Sequence, residues 1–253
     1  MQFCILASGS KGNSIFVETE YTRVLIDVGL SARQIENRLK TIGVEPQSIN
    51  AIVLTHDHND HVRGVGVFAR RFGVPIYGHP ETLDNITHLF RGTEALHPWI
   101  QAFTIADLHF APFPLSHDSI PTVGYTIEHR GKRLVICTDL GVVTPVVKEH
   151  VAQAHALLLE SNHDPELLLR GPYPWHLKER IASQVGHLSN HNAGVLLREI
   201  LHGGLQRVIL GHLSEENNRP ELALTTVLDY IGPGFREHLS VIEQKTISPK
   251  YQL

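Results

Sequence analysis

Thr55-His56-Asp57-His58-Asn59-Asp60-His61 directly follows the apolar run Ala51-Ile-Val-Leu54. It precedes Val62 to Phe72, whose apolar spacing predicts a helix carrying Arg63, Arg70 and Arg71. His56, His58, Asp60 and His61 therefore sit on a strand-to-helix loop, with more potential ligand atoms than a solvated loop needs. Neutral imidazole nitrogen and carboxylate oxygen suit zinc, manganese or iron. Cys4 and Cys137 are the two cysteines and neither has a CxxC partner, so a thiolate site is excluded and both read as reduced, buried strand residues. Asp57 reads as a hydrogen-bonding or exposed neighbour of the cluster.

Outward from this loop, strand-like and helical runs alternate without a linker or low-complexity block, which predicts one mixed α/β domain over residues 1–253. Strands are predicted at Phe3–Ala7, Ser14–Glu18, Arg23–Ile26, Ala51–Leu54, Pro75–Tyr77, Ala102–Ile105, Leu108–Ala111, Val123–Glu128, Leu134–Cys137, Ala156–Leu159, Arg207–Leu210 and Leu239–Ile242. Ser31 caps a helix with Ile35, Leu39 and Ile42 at helical spacing; further helices are predicted at Pro174–Gln184, Asn190–Leu201 and Pro220–Tyr230. Two internal echoes stand out. Arg23-Val-Leu-Ile-Asp27-Val-Gly29 resembles Arg133-Leu-Val-Ile-Cys-Thr-Asp139-Leu-Gly141, and Ile52-Val-Leu-Thr-His56 resembles Val208-Ile-Leu-Gly-His212. In each, an apolar strand delivers a polar residue at its C-terminal end, as in a two-halved sandwich with its site along one edge.

Hydrophobic residues make up 42% and charged residues 19%, enough to bury a sizeable core. No stretch approaches the roughly 18 apolar residues of a membrane span, so a soluble, unexported protein is expected, with no membrane partner. The net charge of −4, with 18 histidines, gives no whole-surface attraction for nucleic acid, and any such binding must come from a local patch or from metal ions.

The sequence His56-x-His58-x-Asp60-His61 resembles the signature of the metallo-β-lactamase superfamily. That resemblance implies an αββα sandwich of two mixed β-sheets flanked by helices, with two divalent ions at one edge. One ion would be held by His56, His58 and a downstream histidine, the other by Asp60, His61 and a final histidine, with a second aspartate bridging them. His117, Asp139 and His212 stand in the expected order, although His109 and His129 compete with His117. Asp27 matches an upstream aspartate that orients the histidine loop. Two divalent cations set against two carboxylates and a bridging hydroxide leave a residual positive charge, which suits a phosphodiester anion.

Three further stretches resemble the WalJ/YycJ-like branch: Leu6-Ala-Ser-Gly-Ser-Lys-Gly-Asn-Ser14, Glu160-Ser-Asn-His-Asp164, and His187-Leu-Ser-Asn190 followed by Gly211-His212-Leu-Ser-Glu-Glu-Asn-Asn218. The branch implies a bacterial cytoplasmic nuclease, a 5′-to-3′ exonuclease on DNA in which the metal-bridging hydroxide attacks. Asp60 and His187 are then the catalytic candidates, with His187 as general acid to the departing oxygen. Asp27, His163, Ser8 and Asn190 are candidates for orienting ligands or touching substrate, and Ser10 and Asn13 could offer donors to a phosphate. Arg63, Arg70, Arg71 and Arg91 could track a backbone, and Trp99, Tyr173 and Trp175 could stack on bases, but a solvated face for the arginines and core packing for the aromatics are the favoured readings. A hydrolase of small esters, thioesters or lactams on the same site is the competing reading. A non-catalytic metal-binding scaffold is the third, and a homodimer by edge pairing is expected by analogy alone.

Overall fold

The computed structural model describes residues 1–253. The first half of the chain supplies strands β1 (Gln2–Ala7), β2 (Ser14–Glu18), β3 (Arg23–Ile26), β4 (Ala51–Val53), β5 (Ile76–Gly78) and β6 (Leu96–Pro98). The second half supplies β7 (Phe103–Ile105), β8 (Leu108–Pro114), β9 (Val123–His129), β10 (Lys132–Cys137), β11 (Ala156–Glu160), β12 (Arg207–Gly211) and β13 (Leu239–Val241), and β14 (Tyr251–Gln252) returns to the first sheet. The two seven-stranded sheets run β14-β1-β2-β3-β4-β5-β6 and β13-β12-β11-β10-β9-β8-β7. Both are mixed: β3 to β6 and β10 to β13 are parallel, the remainder antiparallel.

Unbroken apolar runs explain the layering, because a strand covered on both faces has no polar side. On β1, Phe3 and Ile5 point between the sheets and meet Phe110, Tyr125 and Leu134, while Cys4 and Leu6 point outward to a layer containing Ile35, Leu39 and Phe68. On the second sheet, Leu134 and Ile136 face inward, and Val135 and Cys137 face an outer layer with Val147, Leu196, Leu197 and Val227. Each fully buried aliphatic or aromatic side chain contributes about 1.5–3 kcal/mol. Cys4 and Cys137 lie in opposite outer layers, buried and unpaired. No helix is long and apolar enough to cross a membrane.

Helix α1 (Ala32–Thr41) begins at the Ser31 cap, where a reciprocal bond with Gln34 completes a capping box. The helix expected over Val62–Phe72 is two pieces, α2 (Asn59–Val62) and α3 (Val65–Phe72). The break falls at Gly64, whose amide donates to the Val28 carbonyl at 2.9 Å and where a Cβ would sit 2.2 Å from the Leu30 carbonyl oxygen. Close backbone docking there outweighs helix continuity.

Four short helices were not legible as separate elements or fell in unassigned stretches: α2, α4 (Pro80–Asn85), α5 (Pro145–Val151) and α6 (Pro165–Arg170). The Pro174–Gln184 prediction corresponds to α7 (Trp175–Ala182), followed by α8 (Asn190–Ile200) and α9 (Pro220–Ile231). Strand β8 continues past Ala111 through Pro112 and Pro114. Its neighbour β7 pairs only with Leu108–Phe110, so the prolines lie where one edge is open and the lost N–H removes no ladder bond on that side.

Candidate metal centre

The C-terminal ends of β3, β4, β10, β11 and β12 converge at one edge of the sandwich, delivering Asp27, the histidine loop, Asp139, Glu160 and His212. Asp27, Asp139 and His212 have φ of 61°, 66° and 54°. A left-handed backbone costs a non-glycine residue about 1–2 kcal/mol, and three such residues at one edge mark an overdetermined site. The echo between residues 23–29 and 133–141 thus has a structural counterpart, since both aspartates leave their strands in the same turn.

Asp27 organises the loop. Its Oδ1 accepts from the Thr55 amide at 2.9 Å, and its Oδ2 accepts from Thr55 Oγ1 at 2.8 Å and from His61 Nδ1 at 2.7 Å. Because the Thr55 hydroxyl proton goes to Asp27, its oxygen accepts from His56 Nδ1 at 3.0 Å. His117 Nδ1 donates to the Gly186 carbonyl at 3.0 Å, and His212 Nδ1 to Glu160 Oε1 at 2.7 Å. A ring that donates from Nδ1 keeps the lone pair of Nε2 for a cation, so these partners fix the tautomer a ligand needs.

The potential ligand atoms of His56, His58 and His117 lie within 4.8 Å of one another, as do those of Asp60, His61 and His212, and those of His56, His61 and Asp139. Asp139 stands between the first two sets, with Oδ2 3.3 Å from His61 Nε2 and Oδ1 3.9 Å from His117 Nε2. His56 Nε2, His212 Nε2 and Asp139 Oδ2 are buried without any hydrogen-bond partner. An unsatisfied buried polar atom costs about 1–3 kcal/mol, and divalent cations held by the two ligand sets would satisfy all three. The donor set therefore fits the ions that the sequence implies.

The electrostatics agree. Burial, reinforced by His61, pushes His56 well below the ordinary histidine range and keeps it neutral. Burial also opposes charge on His61 and His212, but Asp139 and the other carboxylates around them lift both well above that range. Asp139 is buried too, yet His212 and His61 hold it ionised, well below the usual carboxylate range.

Glu160, which opens the stretch Glu160-Ser-Asn-His-Asp164, has a role that the sequence alone does not assign. Completely buried, its Oε1 accepts from His187 Nδ1 at 2.8 Å as well as from His212, and its Oε2 accepts from the Leu140 and Leu188 amides at 2.9 and 3.1 Å. Burial resists its charge, but His187 and His212 hold its pKa at about 2. Both oxygens are occupied by protein donors, so it serves as support for His187 and His212. The available signal was a carboxylate closing the apolar run Ala156-Leu-Leu-Leu-Glu160.

The remaining candidates separate by position. Asp60 and His187 line a cavity of about 250 Å³ over the ligand sets, together with Ser10 and Tyr173. Ser8 is buried, and its Oγ accepts from the His212 amide at 2.8 Å. Asn13 Nδ2 lies 3.1 Å from Asp60 Oδ2 and 2.9 Å from His61 Nε2. Asn190 is fully buried, bonded to Ser161 and Asn218, and His163 is buried with Nδ1 unpartnered; neither lines the cavity. Arg70 and Arg71 pair with Glu94 and Glu36, and Arg63 donates to the Lys11 carbonyl. Trp99 is buried against Phe103 in the core, while Trp175 is 62% exposed. Asp57 accepts from Ser119 and Asn85, and Asp118 pairs with Arg180.

An αββα sandwich with histidine and aspartate clusters at the C-terminal strand ends defines a class, and comparison with known proteins agrees. Residues 22–213 match the Beta-lactamase superfamily domain. The chain belongs to the metallo-β-lactamase superfamily of metal-dependent hydrolases, in its WalJ/YycJ-like branch, and binds divalent metal. It is 36% identical over 236 residues to exodeoxyribonuclease WalJ of Streptococcus pneumoniae serotype 2, covering 91% of this chain and 88% of that protein. It is 34% identical over 248 residues to exodeoxyribonuclease YycJ of Bacillus anthracis, covering 95% and 94%. The metallo-β-lactamase fold protein YhfI from Bacillus subtilis shares the fold, with a TM-score of 0.75 at 15% identity and coverage of 99% and 100%.

Proposed function

We propose that this chain is a two-metal phosphodiesterase, a 5′-to-3′ DNA exonuclease of the bacterial cytoplasm, working as one domain of residues 1–253. The observation that carries the reading is the character of the cleft: of the 12 residues lining it, three are hydrophobic. A small-molecule hydrolase would use a more enclosed, apolar pocket. The names of the two relatives above point the same way.

His56, His58 and His117 would hold one ion, Asp60, His61 and His212 the other, with Asp139 shared. Bound there, the ions supply Lewis acidity and an activated water at neutral pH. The protein does the rest. Asp27, Thr55, Gly186 and Glu160 keep the ligand rings in the required tautomer. His187 lies between the ligand sets, its ring 5.1 Å from those of both His117 and His212. Held at Nδ1 by Glu160, its ring turns Nε2 toward the departing oxygen and would act there as the general acid. All seven proposed ligands come from one chain, so a dimer formed by sheet edges would not be needed to complete the ligand sets.

The test is hydrolysis of 5′-labelled and 3′-labelled duplex DNA, single strands and RNA by manganese-loaded protein. Loss of nucleotides from the 5′ end is expected. Asp60→Ala should abolish it, and His187→Ala should slow it about 10²–10⁴-fold, the usual worth of a general acid. Absence of cleavage of any nucleic acid by fully metallated protein would overturn the reading in favour of a small-molecule hydrolase.

A further inference from the structure

Among the residues lining the metal cleft, Arg180 alone carries a permanent positive charge. It stands on α7, in the wall that also contributes Tyr173, Leu177 and Ile181. The guanidinium is gripped from one side: Nε donates to Asp118 Oδ2 at 2.6 Å, and Nη2 pairs with the same oxygen. The other Asp118 oxygen lies 3.5 Å from His58 Nε2 and 3.3 Å from His117 Nε2. Asp118 thus ties the arginine to the edge of the first ligand set, while Nη1 makes no hydrogen bond to the protein. A planar fork immobilised at one edge, with free donors at the other, is suited to a phosphate oxygen.

Other cations near the cleft are differently engaged. Lys11 pairs with Glu215, Arg170 with Glu166, and Lys178 Nζ donates to the Leu169 carbonyl. Since the protein is acidic overall, phosphate recognition beyond the ions must come from such a local group. Tyr173, in the same wall, offers an aromatic face, and stacking on aromatics accepts any base.

We propose that Arg180, oriented by Asp118, binds a phosphate of the nucleic-acid strand next to the bond being cut, and that Tyr173 stacks on the adjoining base. This rests on the exonuclease reading and adds to it the residues that hold the strand. Asp118 is a positioning residue, acting through Arg180.

The experiment is the salt dependence of KM for a single-stranded oligonucleotide, measured on manganese-loaded wild-type, Arg180→Met, Arg180→Lys and Tyr173→Ala proteins of equal metal content. One phosphate contact contributes about 0.7 to the slope of log affinity against log salt on single strands. Arg180→Met should raise KM at least tenfold and flatten the slope by that amount, whereas Arg180→Lys should keep the slope and lose affinity through the missing fork. Tyr173→Ala should raise KM about fivefold to a hundredfold without changing the slope. If wild-type protein degrades DNA while Arg180→Met and Arg180→Lys keep its KM and slope, the inference is wrong. If wild-type protein degrades no nucleic acid, the exonuclease reading fails first.

Discussion

Replacing Glu160 by glutamine changes one atom in a fully buried side chain, and the consequences can be worked out from its four donors. In the native protein, His187 and His212 donate to one oxygen, and the Leu140 and Leu188 amides to the other. Glutamine keeps one acceptor oxygen and turns the other into an NH2 group. If the NH2 faces the backbone, two buried amides lose their acceptor, at about 1–3 kcal/mol each. If it faces the imidazoles, each ring can switch tautomer, accept at Nδ1 and carry its proton on Nε2. The second arrangement avoids the backbone penalty, so it should prevail. A His212 protonated at Nε2 cannot hold a cation, and a His187 accepting at Nδ1 loses the support of a carboxylate. Loss of such outer support typically weakens metal binding 10–100-fold, or about 1.4–2.7 kcal/mol. Glu160→Gln should therefore release metal to a chelator at correspondingly lower concentration and lose at least 10²-fold in DNA turnover at saturating manganese. Metal retention and turnover within about threefold of wild type would refute the argument.

Metal uptake should release protons, because His61 and His212 are raised above the ordinary histidine range by Asp139 and its neighbours in the ion-free protein. Calorimetry at pH 7 in buffers of different ionisation enthalpy should show this, with affinity rising as pH increases; a buffer-independent enthalpy would contradict it. The sign is opposite for metal-free stability, where the raised-pKa contribution is complete below about pH 6.5 and lost as pH rises through the folded values. A melting temperature of chelated protein that rises over that range would count against it. Gly29→Ala should cost about 1–3 kcal/mol and bound metal, since its Cβ would fall 1.6 Å from the Asp60 carbonyl oxygen; unchanged melting and metal content would disprove the close approach. Tyr125→Phe removes a buried 2.7 Å bond to the Leu54 carbonyl and should lower stability by about 1–3 kcal/mol with turnover unchanged, as chemical denaturation and DNA assays would report.

Much of this architecture was legible because the long strands announce themselves. Runs such as Leu134-Val-Ile-Cys137 and Ala156-Leu-Leu-Leu159 are apolar throughout, as strands covered on both faces must be, and the histidine loop follows another, Ala51-Ile-Val-Leu54. The break at Gly64 was hidden because it depends on Val28 and Leu30, more than thirty residues away, approaching the backbone. The short α5 and α6 turn on a Pro and a cap, too little periodicity to read. Similarly, order along the chain could nominate Asp139 and His212, but the role of Glu160 required knowing that β10, β11 and β12 lie side by side. Arg180 was overlooked for the same reason: its pairing with Asp118 joins residues 62 positions apart.

The candidate ligands are dealt out between the sheets, with His56, His58, Asp60 and His61 following β4 and Asp139 and His212 following β10 and β12. During synthesis the histidine loop therefore leaves the ribosome long before its counterparts, and a chain that has emerged as far as Leu210 still lacks His212. A nascent chain holds an incomplete set of donors and no cleft. Hydrolytic competence therefore waits on the last strands of the second sheet, and an unfinished copy lacks the donors to cut the nucleic acid around it.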